Sequence, residues 1–272
     1  MVIGYQGVPG SYSEQALIQL FGLVHPTKYY KEFEDVFIGL EIDEIKYGIL
    51  PIENSTTGSI TQNYDLLRKY GYYITAETGV KIEHNLLVIP ETKMEEIEQI
   101  FSHPQGFEQS TIFLKQFFPN VKQTAYHNTA ISAEYVKNQN IKTFAAIASK
   151  RAAQLYGLDI LESNIQNNKE NWTKFIVVSK VAESDPSCDK MTLLFEIRHE
   201  IGSLHQILAE FAKFDINMSK IESRPVGNGT FSYFFYIDIQ GNKESLNIKD
   251  AFKNIKKLTQ NFKVLGYYKK TV

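Results

Sequence analysis

The chain has 272 residues, a formal net charge of −2, 43% hydrophobic and 22% charged residues, and one cysteine. With no concentrated basic patch it excludes a binder of nucleic-acid backbones, and with apolar runs of only a handful of residues it excludes a membrane-spanning helix. A lone Cys188 cannot form an internal disulfide, and "MVIGYQGVPGSYSEQA" lacks the basic and apolar regions of a secretory signal, so a cytoplasmic protein of one or two domains is expected.

Up to about residue 180, short apolar strands alternate with helical spacing. The runs 48–52 ("GILPI"), 86–89 ("LLVI"), 143–147 ("TFAAI") and 175–178 ("FIVV") predict buried strands. The spacing predicts helices over 12–21, 59–70, 94–101, 107–118, 129–138 and 148–156. Such alternation argues for an α/β fold with largely parallel sheets, whose ligands sit at the carboxyl ends of the strands. "AESDPSCDK" (182–190) then reads as a linker. Beyond it, 191–198 alternates as a strand, and 204–214 carries Leu204, Ile207, Leu208 and Phe211 on one helical stripe. Strands over 216–224 and 231–239 meet at a turn at Gly227-Asn228-Gly229, followed by a helix over 246–260 and a last strand over 263–268. The order βαββαβ predicts a ferredoxin-like unit, a fold that names no function by itself.

Several stretches could carry chemistry. In "GYQGVPGSYSEQA", Ser11 and Glu14 have capping-box spacing, so a helix starts there. The glycine-rich turn before it is either a tight turn with a good cap or a set of backbone donors for a carboxylate or phosphate. In "GILPIENSTTGSI", Glu53 to Thr57 follow a buried strand, a surplus of polar groups over what one cap needs, which points to a small-molecule site. In "SHPQGFEQS", His103 is a turn residue or a general acid–base. The six histidines are scattered, so no metal is expected. In "NWTKFIVVSK" (171–180), Thr173 is either a β-former opening a strand or a hydroxyl offered to a reacting group.

Taken together and in order, "GYQGVPGSYSEQA", "GILPIENSTTGSI", "SHPQGFEQS", "NTA" (128–130), "AAIAS" (145–149) and "NWTKF" (171–175) resemble the prephenate dehydratases over the whole chain. The C-terminal unit resembles that family's regulatory ACT domain, through "IGSLHQIL" and "NMSKIESRP" (217–225). The resemblance implies a two-lobed, type II periplasmic-binding-protein-like catalytic domain over 1–180. Lobe one would comprise about 1–78 plus 173–180, and lobe two about 79–172. A linker over 181–190 and a ferredoxin-like ACT domain over 191–272 would follow.

The implied reaction is loss of CO2 and the ring hydroxyl from prephenate, giving phenylpyruvate without a cofactor. Thr173 would hydrogen-bond the departing hydroxyl, which suits positioned stabilisation better than full proton donation by a poor acid. Asn54, Ser55, Thr56, Gln105, Asn171, Lys174 and Phe175 are the implied substrate-binding residues. Lys174 departs from the family's usual Arg, supplying a point charge instead of a bidentate fork. Gly106 and Ser110 depart from its frequent Ala and Cys. Gly202, Ser203, Leu204, Glu222, Ser223 and Arg224 would bind L-phenylalanine as an allosteric inhibitor between two copies, in a homodimer or homotetramer. The alternatives are an arogenate dehydratase and a non-catalytic aromatic-metabolite sensor. No all-helical segment precedes Gly4, so an added mutase domain is not expected.

Overall fold

A computed structural model of the chain describes residues 1–227 and 232–271. The chain begins with β1 (Ile3–Gln6), α1 (Tyr12–Phe21), β2 (Thr27–Tyr30), α2 (Phe33–Glu41), β3 (Tyr47–Asn54), β4 (Gly58–Ser59), α3 (Thr61–Tyr70) and β5 (Tyr73–Lys81). It crosses to a second sheet for β6 (Asn85–Val88), a 3₁₀ turn (Met94–Glu96), β7 (Gln99–Ser102), α4 (Pro104–Gln109), α5 (Thr111–Phe117), β8 (Lys122–Ala125), α6 (Thr129–Gln139), β9 (Phe144–Ala148), α7 (Lys150–Tyr156) and β10 (Asp159–Glu162). β11 (Trp172–Ser179) then returns to the first sheet, antiparallel between β3 and β5.

β3 and β11 are buried along most of their length because both faces are covered, which is why they read as continuous apolar runs. Ile49, Phe175 and Val177 face the α1 side with Ala16 and Leu17. Leu50, Ile52, Ile176 and Val178 face the other side, with Phe37 and Leu67. That second core continues into Leu194, Phe234, Tyr236, Leu265 and Tyr268 of the C-terminal unit.

The C-terminal unit is β12 (Lys190–Ile197), α8 (Ser203–Lys213), β13 (Met218–Pro225), β14 (Tyr233–Gln240), α9 (Leu246–Leu258) and β15 (Thr259–Tyr268). Its strands lie in the order β13-β14-β12-β15, the split βαβ arrangement. A parallel bridge from Gly266 to Ile74 joins β15 to β5, so one ten-stranded sheet runs through both units. A Cβ at Gly266 would stand 2.2 Å from the Ile74 carbonyl oxygen, so the join requires glycine there.

Three expectations change. Residues 94–101 hold a single 3₁₀ turn and then β7, not a helix. Ile97 and Ile100 enter one core while Phe101 enters the opposite one, so the apparent helical spacing is two sheet faces superposed. The sheets are mixed, not largely parallel: β1 runs parallel to β2 and β3, and β7 to β8 and β9, but β11, β6 and β10 run antiparallel to their neighbours. Lys190, read as the end of a linker, opens β12 and is buried. Asn228, Gly229 and Phe231, where a turn and a strand start were expected, lie outside the described residues. Among the described residues no helix is long and apolar enough to cross a membrane.

Candidate active site

A cavity of about 280 Å³ lies between the two sheets, at the carboxyl ends of β1, β3, β7 and β8. Three helix amino ends open onto it. Ser11 caps α1, its Oγ accepting from Glu14 N at 3.3 Å; His103 caps α4, its Nδ1 accepting from Gln105 N at 3.2 Å; Asn128 caps α6, its Oδ1 accepting from Ile131 N at 2.8 Å. Orphan N–H groups and helix dipoles there favour an anion. Among the described residues the lining holds no lysine, arginine, aspartate or glutamate.

The glycine-rich turn before α1 seats against α7 of the second sheet. Ser149 Oγ donates to the Gly10 carbonyl at 2.8 Å, Tyr156 OH donates to Pro9 O at 2.9 Å, and Arg151 Nε meets Glu14 Oε2 at 3.2 Å. Gly10 has φ +89°, and a Cβ there would press Ala152 at 3.1 Å. Glu14 does not complete the expected capping box: its carboxylate accepts from Gly10 N.

At the centre, Asn54 and Thr173 are register partners across β3 and β11. Asn54 Nδ2 donates to Thr173 Oγ1 at 2.9 Å and to Asn171 Oδ1 at 2.8 Å. Asn54 Oδ1 accepts from the backbone of Thr56 and Thr57, both at 3.0 Å, which shapes the following loop. Thr173 Oγ1 therefore accepts from within the protein, and among the described residues no acceptor takes its own proton, which faces the cleft.

Of the residues the resemblance implied for catalysis and substrate binding, Asn54, Gln105, Thr173 and Phe175 line the cavity. Asn171 and Thr56 stand behind it, linked by a Thr56 Oγ1 to Asn171 Oδ1 hydrogen bond of 3.3 Å. Ser55 accepts from Trp172 N at 2.9 Å and closes the strand ends. Lys174 does not enter the cleft. Side chains alternate along a strand, so it leaves β11 on the opposite face from Thr173 and Phe175 and pairs with Glu53 at 3.3 Å. The expectation that Lys174 binds substrate is corrected by that geometry.

Sequence reading missed Gln109, His84, Tyr12 and His127, all in the lining. Gln109 falls one turn after Gln105, a spacing that puts both on one helix face and could have identified it. It accepts from Asn171 Nδ2 at 3.1 Å and lies 2.9 Å from His84 Nε2; His84 Nδ1 in turn lies 3.2 Å from Tyr12 OH. A polar chain thus runs from α1 to Thr173. Burial pushes His84 below the usual histidine range and keeps it neutral. Burial, then the neighbouring His127, does the same to His103. Among the described residues no group of three or more His, Cys, Asp or Glu side chains is placed to hold a metal.

A second, smaller cavity of about 200 Å³ lies on the C-terminal unit, lined by 197–200 and by Gly202, Ser203, Leu204 and His205 at the amino end of α8. Glu222 and Arg224, expected in this site, are elsewhere. Their side chains leave β13 towards the first unit, where Glu222 Oε2 accepts from Ser59 Oγ at 2.5 Å and Arg224 forms a two-pronged pair with Asp65 at 3.1 and 2.7 Å. Ser223 projects from the exposed face and pairs in register with Phe235, which lines the cavity.

The family model described as prephenate dehydratase matches residues 3–183. The arogenate dehydratase/prephenate dehydratase 6 of Arabidopsis thaliana chloroplasts is 35% identical over 288 residues, covering 98% of this chain and 68% of the relative. A prephenate dehydratase from Arthrobacter aurescens, solved in complex with L-Phe, superposes with a TM-score of 0.90 at 27% identity, over 99% of this chain and 90% of that one. GqqA, described as a novel type of quorum quenching acylase, also superposes with a TM-score of 0.90 at 27% identity, over 100% of this chain and 98% of that one. The chain belongs to the prephenate dehydratase family, and it is a dehydratase with a mixed α/β fold.

Proposed function

We propose that the cleft carries out the decarboxylating dehydration of prephenate to phenylpyruvate, with Thr173 as the group that meets the leaving hydroxyl. The observation that carries this is the 2.9 Å hydrogen bond from Asn54 Nδ2, which leaves Thr173 a donor towards the cleft. The ring C–O bond breaks with its electron pair on oxygen, and the ring C–carboxylate bond supplies the pair that completes the aromatic ring. CO2 departs, and the hydroxide takes a proton delivered ultimately from solvent to become water. Thr173 stabilises the charge growing on that oxygen by a placed hydrogen bond. The substrate's two carboxylates meet the helix amino ends of α1, α4 and α6. We assign Asn171 and Thr56 to hold Asn54, and Gln105 and Phe175 to contact the ring or its substituents.

Prephenate is favoured over arogenate because among the described residues the lining offers no carboxylate side chain to an ammonium group, while it offers a surplus of donors to a keto acid. Thr173 is not activated as an acylase nucleophile by its partner: Asn54 meets Thr173 Oγ1 through its amide nitrogen, which donates and so cannot take the hydroxyl proton. The non-catalytic sensor is set aside by the family assignment and by Lys174 lying outside the site.

We further propose that the C-terminal unit is an ACT-type module whose cavity at Gly202, Ser203 and Leu204 takes L-phenylalanine, its carboxylate at the amino end of α8. β13 is the outer strand of the sheet and exposes Ile221, so a second copy can add there to give the dimer or tetramer that the family resemblance implies. The test is phenylpyruvate formation by the purified protein from prephenate and from arogenate, each with and without L-phenylalanine, beside Thr173→Ala. Thr173→Ala is expected to lose about 10²–10⁴ in turnover with its fold intact. Unchanged turnover in that variant removes the role given to Thr173, and higher kcat/KM on arogenate reverses the substrate assignment.

A further inference from the structure

We infer that Lys220, on the C-terminal unit, is a positioning residue for the dehydration, acting through Glu53 on the strand pair that presents Asn54 and Thr173. The inference rests on the reading that those two residues act in the cleft. One step along the same ladder, Glu53 and Lys174 are the next register pair and point to the opposite face. The two oxygens of Glu53 are divided between the units: Oε2 meets Lys174 Nζ at 3.3 Å, and Oε1 meets Lys220 Nζ at 2.7 Å. Lys220 also donates to Ser59 Oγ at 2.9 Å. Ser59 lies on β4, the return strand after the loop that Asn54 Oδ1 organises, and is the register partner of Glu53.

Lys220 therefore ties down both strands that flank the Asn54 loop. The tie lies beside a register shift in that ladder, between Lys174 and Phe175 and next to Thr173. The Lys220 side chain is 12% exposed and its ammonium sits 5.5 Å from the Tyr64 ring centre, so it is packed into place, unlike a solvated surface lysine. Removing it leaves the Glu53 carboxylate with Lys174 alone and free to swing towards β11. The separation and angle of the Asn54–Thr173 pair then widen, which is felt in the chemical step more than in substrate binding.

Lys220→Met, Lys220→Arg, Glu53→Gln and the Glu53→Gln/Lys220→Met double variant test this with prephenate as substrate, next to wild type and Thr173→Ala. In Lys220→Met, kcat is expected to fall about tenfold with KM within about twofold and cooperative unfolding retained. Lys220→Arg should recover most of kcat, since it keeps the charge and reach. Adding Lys220→Met to Glu53→Gln should cost clearly less than Lys220→Met costs in wild type, because the route through Glu53 is already cut and only the tie to Ser59 is left to lose. A folded Lys220→Met variant with kcat within about twofold of wild type overturns the inference. So does a full additional loss in the double variant. An inactive Thr173→Ala beside an active Lys220→Met sinks the role of Lys220 alone; an active Thr173→Ala sinks the cleft reading and this inference with it.

Discussion

On one face of the β3–β11 pair, Asn54 and Thr173 meet in a cleft whose described lining is free of lysine, arginine, aspartate and glutamate. On the other face of the same two strands, Glu53 and Lys174 enter a run of charges with Lys220 and Glu222, and Arg224 grips Asp65 nearby. Farther along the same junction Lys190 is buried between Glu77 at 2.6 Å and Asp238 at 3.0 Å. The difference teaches how a site for a charged substrate can be built. Helix ends and amide dipoles bind an anion without a counter-ion that would pair with a neighbouring side chain in the empty site. Full charges are kept where they specify how two units dock, since a buried ion pair is weak as a source of stability but strict about its partner.

The most severe way to break this contrast is at the cleft. Asn54→Ala removes the donor to Thr173 and the anchor of the 55–57 loop together, and turnover should fall about 10³-fold; steady-state kinetics with near-native circular dichroism checks it, and a loss under about tenfold would return Thr173 to a strand-starting role. At the junction, Lys190→Met strands Glu77 and Asp238 beside each other, and urea unfolding should show a loss of about 3–5 kcal/mol. Neutralising both carboxylates in that variant, as Glu77→Gln and Asp238→Asn, should restore a large part. No recovery would mean that Lys190 serves by packing instead of by charge.

A third test concerns the neutral cleft itself. His84 and His103 have their folded pKa pushed below the unfolded value by burial. Below pH ~6.5 the unfolded chain takes up protons that the folded chain refuses. Stability should therefore be full above that pH and fall as pH drops, by up to about 1.4 kcal/mol per pH unit for each histidine. Unfolding midpoints between about pH 7 and 5.5 measure this, and His84→Gln should flatten the slope. The smallest effect is expected at the half-exposed rim of the junction, where Arg224→Ala should cost about 1 kcal/mol and Arg224→Lys about half of that. A loss of several kcal/mol there would give the rim the weight assigned here to Lys190.

Much of the site was legible in the chain. The buried run before Glu53 marks β3, and the caps at Ser11 and Asn128 mark α1 and α6, because these are local signals carried by a few adjacent residues. The displacement of Lys174 from the cleft was also legible: alternation along β11 puts it opposite Thr173 and Phe175. Its place in "NWTKF", a stretch that carries the family resemblance, outweighed that simple period. His84 and Tyr12 gave no local sign, because they meet only in the folded chain, 72 positions apart.

The chain alone settled most helix starts and the buried runs of β3, β6, β9 and β11, since a helix start needs only its own cap and a buried strand only its own apolar run; at 94–101 it did not, because two sheet faces superpose there into a helical spacing. What each face would meet was decided in three dimensions. Asn54 finds Thr173 119 positions away, and Lys220 finds Ser59 161 positions away. A polar strand end reads the same whether it faces a ligand, the solvent or another unit; the packing of the sheet on α3 and β4 turned Glu222 and Arg224 from an expected effector site into the junction behind the cleft.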